Sequence, residues 1–150
     1  MRIAVLGCGK MGSWLANLLS GEHEVAAFDR NSANVSTLKN VAPLKTLEDL
    51  KKFSPQMLIN AVSLQNTVSA FDSAVPFLSK ECLICDVASV KQGLEEYYSK
   101  SGFRFCSVHP MFGPTFANLG MLSGENAVII IESDPKGTDF FRKAASNAKS

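Results

Sequence analysis

Gly7, Gly9 and Gly12 stand in the spacing Gly-x-Gly-x-x-Gly directly after the apolar run Arg2-Ile-Ala-Val-Leu6. That arrangement suits an anion held by backbone groups. Gly7 permits a tight turn off a strand, Gly9 lets the chain approach a pyrophosphate, and Gly12 lets the following helix pack close. The N–H groups and dipole at that helix start, where Lys10 and Met11 fall, would hold the phosphates. A second apolar run, Glu24-Val-Ala-Ala-Phe28, ends in Asp29, about 20 residues beyond the first glycine, where a carboxylate accepts hydrogen bonds from a ribose. Glycine turns that bind nothing share the pattern, so context decides. Met11, Leu15, Leu18 and Leu19 at helical spacing supply the helix that the reading requires.

Asp29 repels an additional 2′-phosphate, which favours NAD over NADP. Arg30 behind it is either a solvated loop residue or a guanidinium that accommodates that phosphate. The chain's 150 residues, 46% of them hydrophobic, are one domain's worth, and the net charge is +1. No Lys/Arg cluster is interleaved with aromatics, so a nucleic-acid or anionic-membrane surface is not expected and small-molecule chemistry is. No apolar run approaches a membrane span of about 20 residues and no signal peptide precedes the first strand, which leads to a cytoplasmic expectation.

Of the four cysteines, Cys82 and Cys85 look like a metal or redox pair. In a strand, residues three apart point to opposite faces, so these two cannot share a ligand. With only His23 and His109 elsewhere, no metal site is expected, and the thiols read as small reduced hydrophobes.

Strand-like and helix-like segments alternate along the rest of the chain, the pattern of an α/β, Rossmann-type doubly wound and mostly parallel sheet. Helices are expected near 32–39 and over 47–53, 67–78 and 90–100. Strands are expected near 42–44 and over 57–62, 82–85, 103–108 and 127–131, with a closing helix from Pro135. Ligands of such sheets collect at the carboxyl ends of the strands. Val62 and Ser63, at the end of the fourth strand, complete the residues expected around the cofactor. Two further segments share that edge: Asp86-Val-Ala-Ser-Val-Lys91 and Ser107-Val-His-Pro-Met-Phe-Gly113. Ser89-x-x-Gln92 also reads as a capping box, so Ser89 could cap a helix, act in a site, or both. Lys91 could be a solvated residue of the first turn. His109, in a loop before Pro110, is either structural or a neutral imidazole that accepts a hydroxyl proton.

Met1–Gly12, Asp86-Val-Ala-Ser-Val-Lys91 and His109-Pro-Met-Phe-Gly113, in this order and spacing, resemble the prephenate dehydrogenase family, which also includes arogenate dehydrogenases. The resemblance covers nearly the whole chain, and the S-V-K and H-P-M-F-G blocks are more specific than the glycines. It implies an NAD(P)-dependent oxidative decarboxylation of prephenate to 4-hydroxyphenylpyruvate, in tyrosine biosynthesis. His109 would then accept the ring hydroxyl's proton, Ser89, lying between nicotinamide and substrate, would orient that histidine, and Lys91 would have a supporting role. The family's helical second domain, which gives dimer contacts and an arginine for the substrate carboxylate, is not among these residues. These 150 residues are therefore expected to be the cofactor-binding half, with a homodimer only where the second domain is present. The alternatives are another two-domain NAD(P)-dependent dehydrogenase and an NAD-binding or sensing module without chemistry.

Overall fold

The computed structural model of the protein describes residues 1–111, 126–129 and 133–147. Strands β1 (Arg2–Leu6), β2 (Glu24–Phe28), β3 (Val41–Pro43), β4 (Met57–Asn60), β5 (Leu83–Asp86), β6 (Phe105–Met111) and β7 (Asn126–Ile129) form one sheet in the order β3-β2-β1-β4-β5-β6-β7. The first six run parallel and β7 is antiparallel to β6. The expected mostly parallel sheet is thus observed. The chain winds outward from β1 in both directions, so the sheet has its topological switch between β1 and β4.

Helices cover both faces, which is why the strands read as continuous apolar runs rather than alternating ones. Ile3, Val5, Met57, Ile59 and Cys85 pack on one face against Leu15, Ala16 and Leu19 of α1 (Lys10–Leu19) and Phe141 of the helix Pro135–Asn147. Ala4, Leu6, Leu58, Ile84 and Cys82 pack on the other, against Leu50 of α3 (Asp49–Phe53), Phe71 of α4 (Thr67–Ala74) and Leu94 and Tyr98 of α5 (Leu94–Ser101). The short α2 (Ala33–Ser36) adds Val35 to the first face. Each large aliphatic side chain buried in these two layers contributes about 1.5–3 kcal/mol. Cys82 and Cys85 fall in different layers, as strand alternation requires.

Three boundaries differ from expectation for identifiable reasons. Helix α4 stops at Ala74 and gives way to a 3₁₀ turn over Val75–Phe77, which contains Pro76. A proline lacks the N–H that continuing the α-helix would need. Helix α5 begins at Leu94, not at Val90, with Gly93 as N-cap in the left-handed region (φ +81°) and no side-chain cap. The Ser89-x-x-Gln92 capping box therefore does not form, and residues 87–93 are a loop. Strand β6 runs on past Ser107, so His109 lies inside a strand instead of a loop, because β7 pairs with it and sets His109 opposite Val128. Past Ser107 the strand has no β5 partner in the register, which makes the missing N–H of Pro110 tolerable. The expected loop after Met111, including Phe112 and Gly113, and the expected ends of the last strand and helix lie outside the described residues.

Candidate functional site

The turn after β1 is shaped by steric necessity. Gly7 has φ +85°, and a Cβ there would stand 2.8 Å from the Val62 nitrogen. A Cβ on Gly12 would overlap the Gly7 carbonyl oxygen, so α1 reaches the strand only because residue 12 has no side chain. Around Gly9 there is open space, with no heavy atom within 4 Å of where its Cβ would be. The Ser13 N–H bonds the Gly9 carbonyl at 2.9 Å. The N–H groups of residues 10–12 thus precede the first helical bond and are left for an anion.

A cleft of about 430 Å³ opens at this turn, lined by Gly7, Gly9, Asp29, Arg30, Val62 and Ser63 among others. Six of the nine residues expected around a cofactor therefore meet in one hollow. Lys10 is exposed at the helix start, Met11 packs against the core beneath it, and Gly12 is buried under the turn. The cleft sits at the carboxyl ends of β1, β2 and β4, beside the switch point, where nucleotides bind in such sheets.

The Asp29 carboxylate ties the two turns together. Its Oδ2 accepts the Cys8 N–H at 2.7 Å, and its Oδ1 accepts the Asn31 N–H at 2.8 Å and the Asn34 amide at 3.3 Å. A carboxylate has about four lone-pair sites, so acceptor capacity remains for a ligand. The glycine turn, the open space at Gly9 and the acidic residue at the end of β2 together fit an adenine dinucleotide.

A second cluster forms on the same sheet edge at the ends of β5 and β6, two and three strands from β1, or about 10–14 Å at normal strand spacing. Asp86, at the end of β5, is 0% exposed. Its Oδ1 accepts the Lys91 ammonium at 2.7 Å and the Ala88 N–H at 3.0 Å, and its Oδ2 accepts the Tyr98 hydroxyl at 2.6 Å. Burial, and secondarily the Asp86 charge, push the Tyr98 phenol far up, so it remains a donor. Lys91 also donates to the Val108 carbonyl at 2.8 Å, next to His109. Lys91 is therefore no solvated first-turn residue, and its side chain is only 17% exposed.

Asp86 and Tyr98 were not singled out from the sequence. An acid closing the buried run Cys82-Leu-Ile-Cys85 was the available signal, since a buried carboxylate needs donors and Lys91 follows five residues on. Ser89 is exposed in the loop before α5, and His109 is half-buried. Among the described residues no hydrogen bond joins their side chains. Cys106 and Val108 pack into the first layer, so alternation turns Ser107 and His109 toward the α5 side. There Ser107, with its hydroxyl buried and unpartnered among the described residues, helps line a hollow of about 270 Å³ with Lys91, Leu94, Tyr98 and Phe105.

Three of the four thiols are raised, and Cys106 is lowered by its hydrogen bond with Cys85. Burial, with the Asp29 charge behind it, raises Cys8 to about 11, and burial raises Cys82 to about 12 against the pull of Arg104. Burial and a hydrogen bond to Cys106 raise Cys85 as well. Protonated thiols are poor ligands and poor nucleophiles.

Residues 22–145 match the family model described as prephenate dehydrogenase, nucleotide-binding domain. No curated protein matches the chain. Among solved structures, arogenate dehydrogenase from Synechocystis superposes with TM-score 0.76 at 22% identity, over 99% of this chain and 57% of that one. Prephenate dehydrogenase from A. aeolicus, in complex with hydroxyphenyl propionate and NAD+, gives TM-score 0.75 at 17% identity, over 99% and 57%. A 3-hydroxyacyl-CoA dehydrogenase from Archaeoglobus fulgidus gives 0.69 at 21%, over 99% and 54%, so the fold is shared across dehydrogenases. This chain spans little more than half the length of those proteins. The family match covers most of the sequence, and the chain belongs to the prephenate dehydrogenase family as its nucleotide-binding domain.

Proposed function

We propose that this domain binds NAD in the cleft at Gly7–Gly12 and serves the oxidative decarboxylation of prephenate, with His109 as proton acceptor. The observation that supports this most is that His109 and the nucleotide cleft share the carboxyl edge of one sheet. Backbone N–H groups at residues 10–12 hold the pyrophosphate, and Gly9 leaves room for it. Asp29 binds the adenosine ribose and disfavours a 2′-phosphate, while Arg30 lines the same hollow and moderates that preference. Val62 and Ser63 close the side of the cleft nearer the reaction edge.

When bound, the nicotinamide cofactor supplies the hydride acceptor. His109 takes the proton of the substrate hydroxyl as the same ring carbon gives up its hydride, and loss of carbon dioxide leaves the ring an aromatic phenol. Ser89, exposed on the loop beside β6, orients the imidazole once substrate fills the edge. The chain needs no covalent nucleophile, because positioning a base against the reacting hydroxyl is sufficient.

A second reading, a nucleotide-binding module without chemistry, is favoured by six of the expected cofactor residues meeting in one cleft while, among the described residues, no hydrogen bond joins the Ser89 and His109 side chains. NADH formation at 340 nm with NAD and prephenate, arogenate or a 3-hydroxyacyl-CoA separates the readings. Prephenate-dependent NADH is expected. Turnover of the acyl-CoA alone would overturn the substrate assignment, and NAD binding without turnover of any substrate would favour the second reading.

A further inference from the structure

Strand β6 loses its β5 neighbour just where His109 follows. The Ile84 N–H bonds the Arg104 carbonyl at 3.1 Å, and the pairing continues as far as Asp86 opposite Ser107. A parallel ladder has a two-residue period, so its next rungs run from Asp86 to Cys106 and then from Ala88 to Val108. The last of these is not made by the backbone. The Ala88 N–H turns back to Asp86 Oδ1 at 3.0 Å, and the Lys91 ammonium takes its place on the Val108 carbonyl at 2.8 Å. Asp86 holds that ammonium at 2.7 Å and is held in turn by the Tyr98 hydroxyl at 2.6 Å.

We propose, on the reading of His109 as the proton acceptor, that Lys91 is a positioning residue: it replaces the missing ladder rung and thereby fixes the peptide that carries His109. The Val108 carbonyl and the His109 nitrogen belong to one planar peptide unit, so holding the carbonyl sets the orientation of that plane and of the His109 Cα. A catalytic side chain must be held within about 0.5 Å and 10–20° to act, and a strand end with a partner on one side only does not ensure this. The buried carboxylate serves this purpose by presenting the lysine, which would otherwise stay in water. Tyr98, fixed in α5, prevents the carboxylate from rotating.

The test is NMR on the intact chain at one pH, comparing unmodified protein with Lys91→Met and Lys91→Arg. The Val108 carbonyl carbon and the His109 ring nitrogens are the reporters, and thermal melting and NAD affinity are measured alongside. In Lys91→Met both reporters should move while NAD affinity stays within about twofold, since Lys91 is not among the residues that line the cleft. Lys91→Arg, which keeps charge and donors, should bring both back toward the native shifts. Unmoved reporters in folded Lys91→Met would overturn the proposal, as would reporters moved equally by Lys91→Met and Lys91→Arg. If Lys91→Met does not fold, Asp86→Asn/Lys91→Met removes the rung without leaving a buried unpaired charge and is judged by the same signals. Whether prephenate shifts the His109 ring in unmodified protein is recorded separately. Absence of that shift would count against His109 as proton acceptor and leave the role of Lys91 as a rung standing.

Discussion

Asp29→Asn separates the electrostatic part of cofactor recognition from its shape. The side chain keeps its size and one carbonyl oxygen but loses its charge. A hydrogen bond to a charged acceptor is worth about 1.5–3 kcal/mol and one to a neutral acceptor about 0.5–1.5, so each ribose bond weakens by about 1 kcal/mol. One acceptor site of the carboxylate is left beside the Cys8, Asn31 and Asn34 donors, so the loss is about 1 kcal/mol, or roughly fivefold in the Kd for NAD. The same change removes the repulsion of a 2′-phosphate. At this half-exposed, screened site that repulsion is on the order of 1–2 kcal/mol, so affinity for NADP should rise about tenfold. The preference for NAD over NADP should thus fall by about 50-fold. A stability cost accompanies it, because Asp29 accepts both the Cys8 and the Asn31 N–H and an amide oxygen serves them less well. That cost is about 1–3 kcal/mol, with each kcal/mol lowering Tm by about 2–4 °C in a chain of this size. Calorimetric titration with each cofactor, at a temperature where melting shows the variant folded, gives the ratio. A ratio within about threefold of the unmodified protein's would refute the assignment of Asp29 to the ribose.

Gly12→Ala should lower stability by about 1–3 kcal/mol or more and abolish measurable NAD binding, since the methyl group overlaps the Gly7 carbonyl and must push α1 off the turn. Melting and titration of the variant check this, and native NAD affinity would contradict the close-approach argument. His23 titrates below its ordinary 6.5, chiefly through burial and next through the nearby N-terminal charge, with Glu22 opposing and Lys143 adding. Its folded state binds a proton less readily than the unfolded chain, so the stability it contributes is present above about pH 6.5 and is lost as the pH falls toward the folded value. His23→Gln should therefore lose less stability than the parent between about pH 7 and pH 5 in denaturant titrations. An identical pH slope would place the burial effect elsewhere.

The nucleotide cleft was legible in the sequence because its determinants are local. Gly7 and Gly12 each meet a steric demand of the turn, Gly9 leaves open space beside it, and Asp29 closes the largely apolar run of β2. The reaction edge was harder to read. Ser89-x-x-Gln92 has the composition of a capping box, but a cap requires the chain to enter the helix there, and Asp86 instead holds Ala88 and Lys91 in a loop that reaches α5 only at Gly93. His109 reads as a loop residue from Pro110 and Gly113, whereas its conformation is set by pairing with Val128, distant in sequence. The Asp86, Lys91 and Tyr98 cluster depends on the β5–β6 register and the phase of α5 together, which no single local pattern encodes.

Proton acceptance by His109 in prephenate oxidation is tested by initial rates of NADH formation at 340 nm from prephenate and NAD, comparing unmodified protein with His109→Asn. Prephenate-dependent NADH is expected, with a fall of about 10²-fold or more in the variant, within the range for loss of a positioned proton acceptor, and with NAD affinity retained. No prephenate-dependent NADH from the unmodified protein, or equal rates from the two, would contradict it.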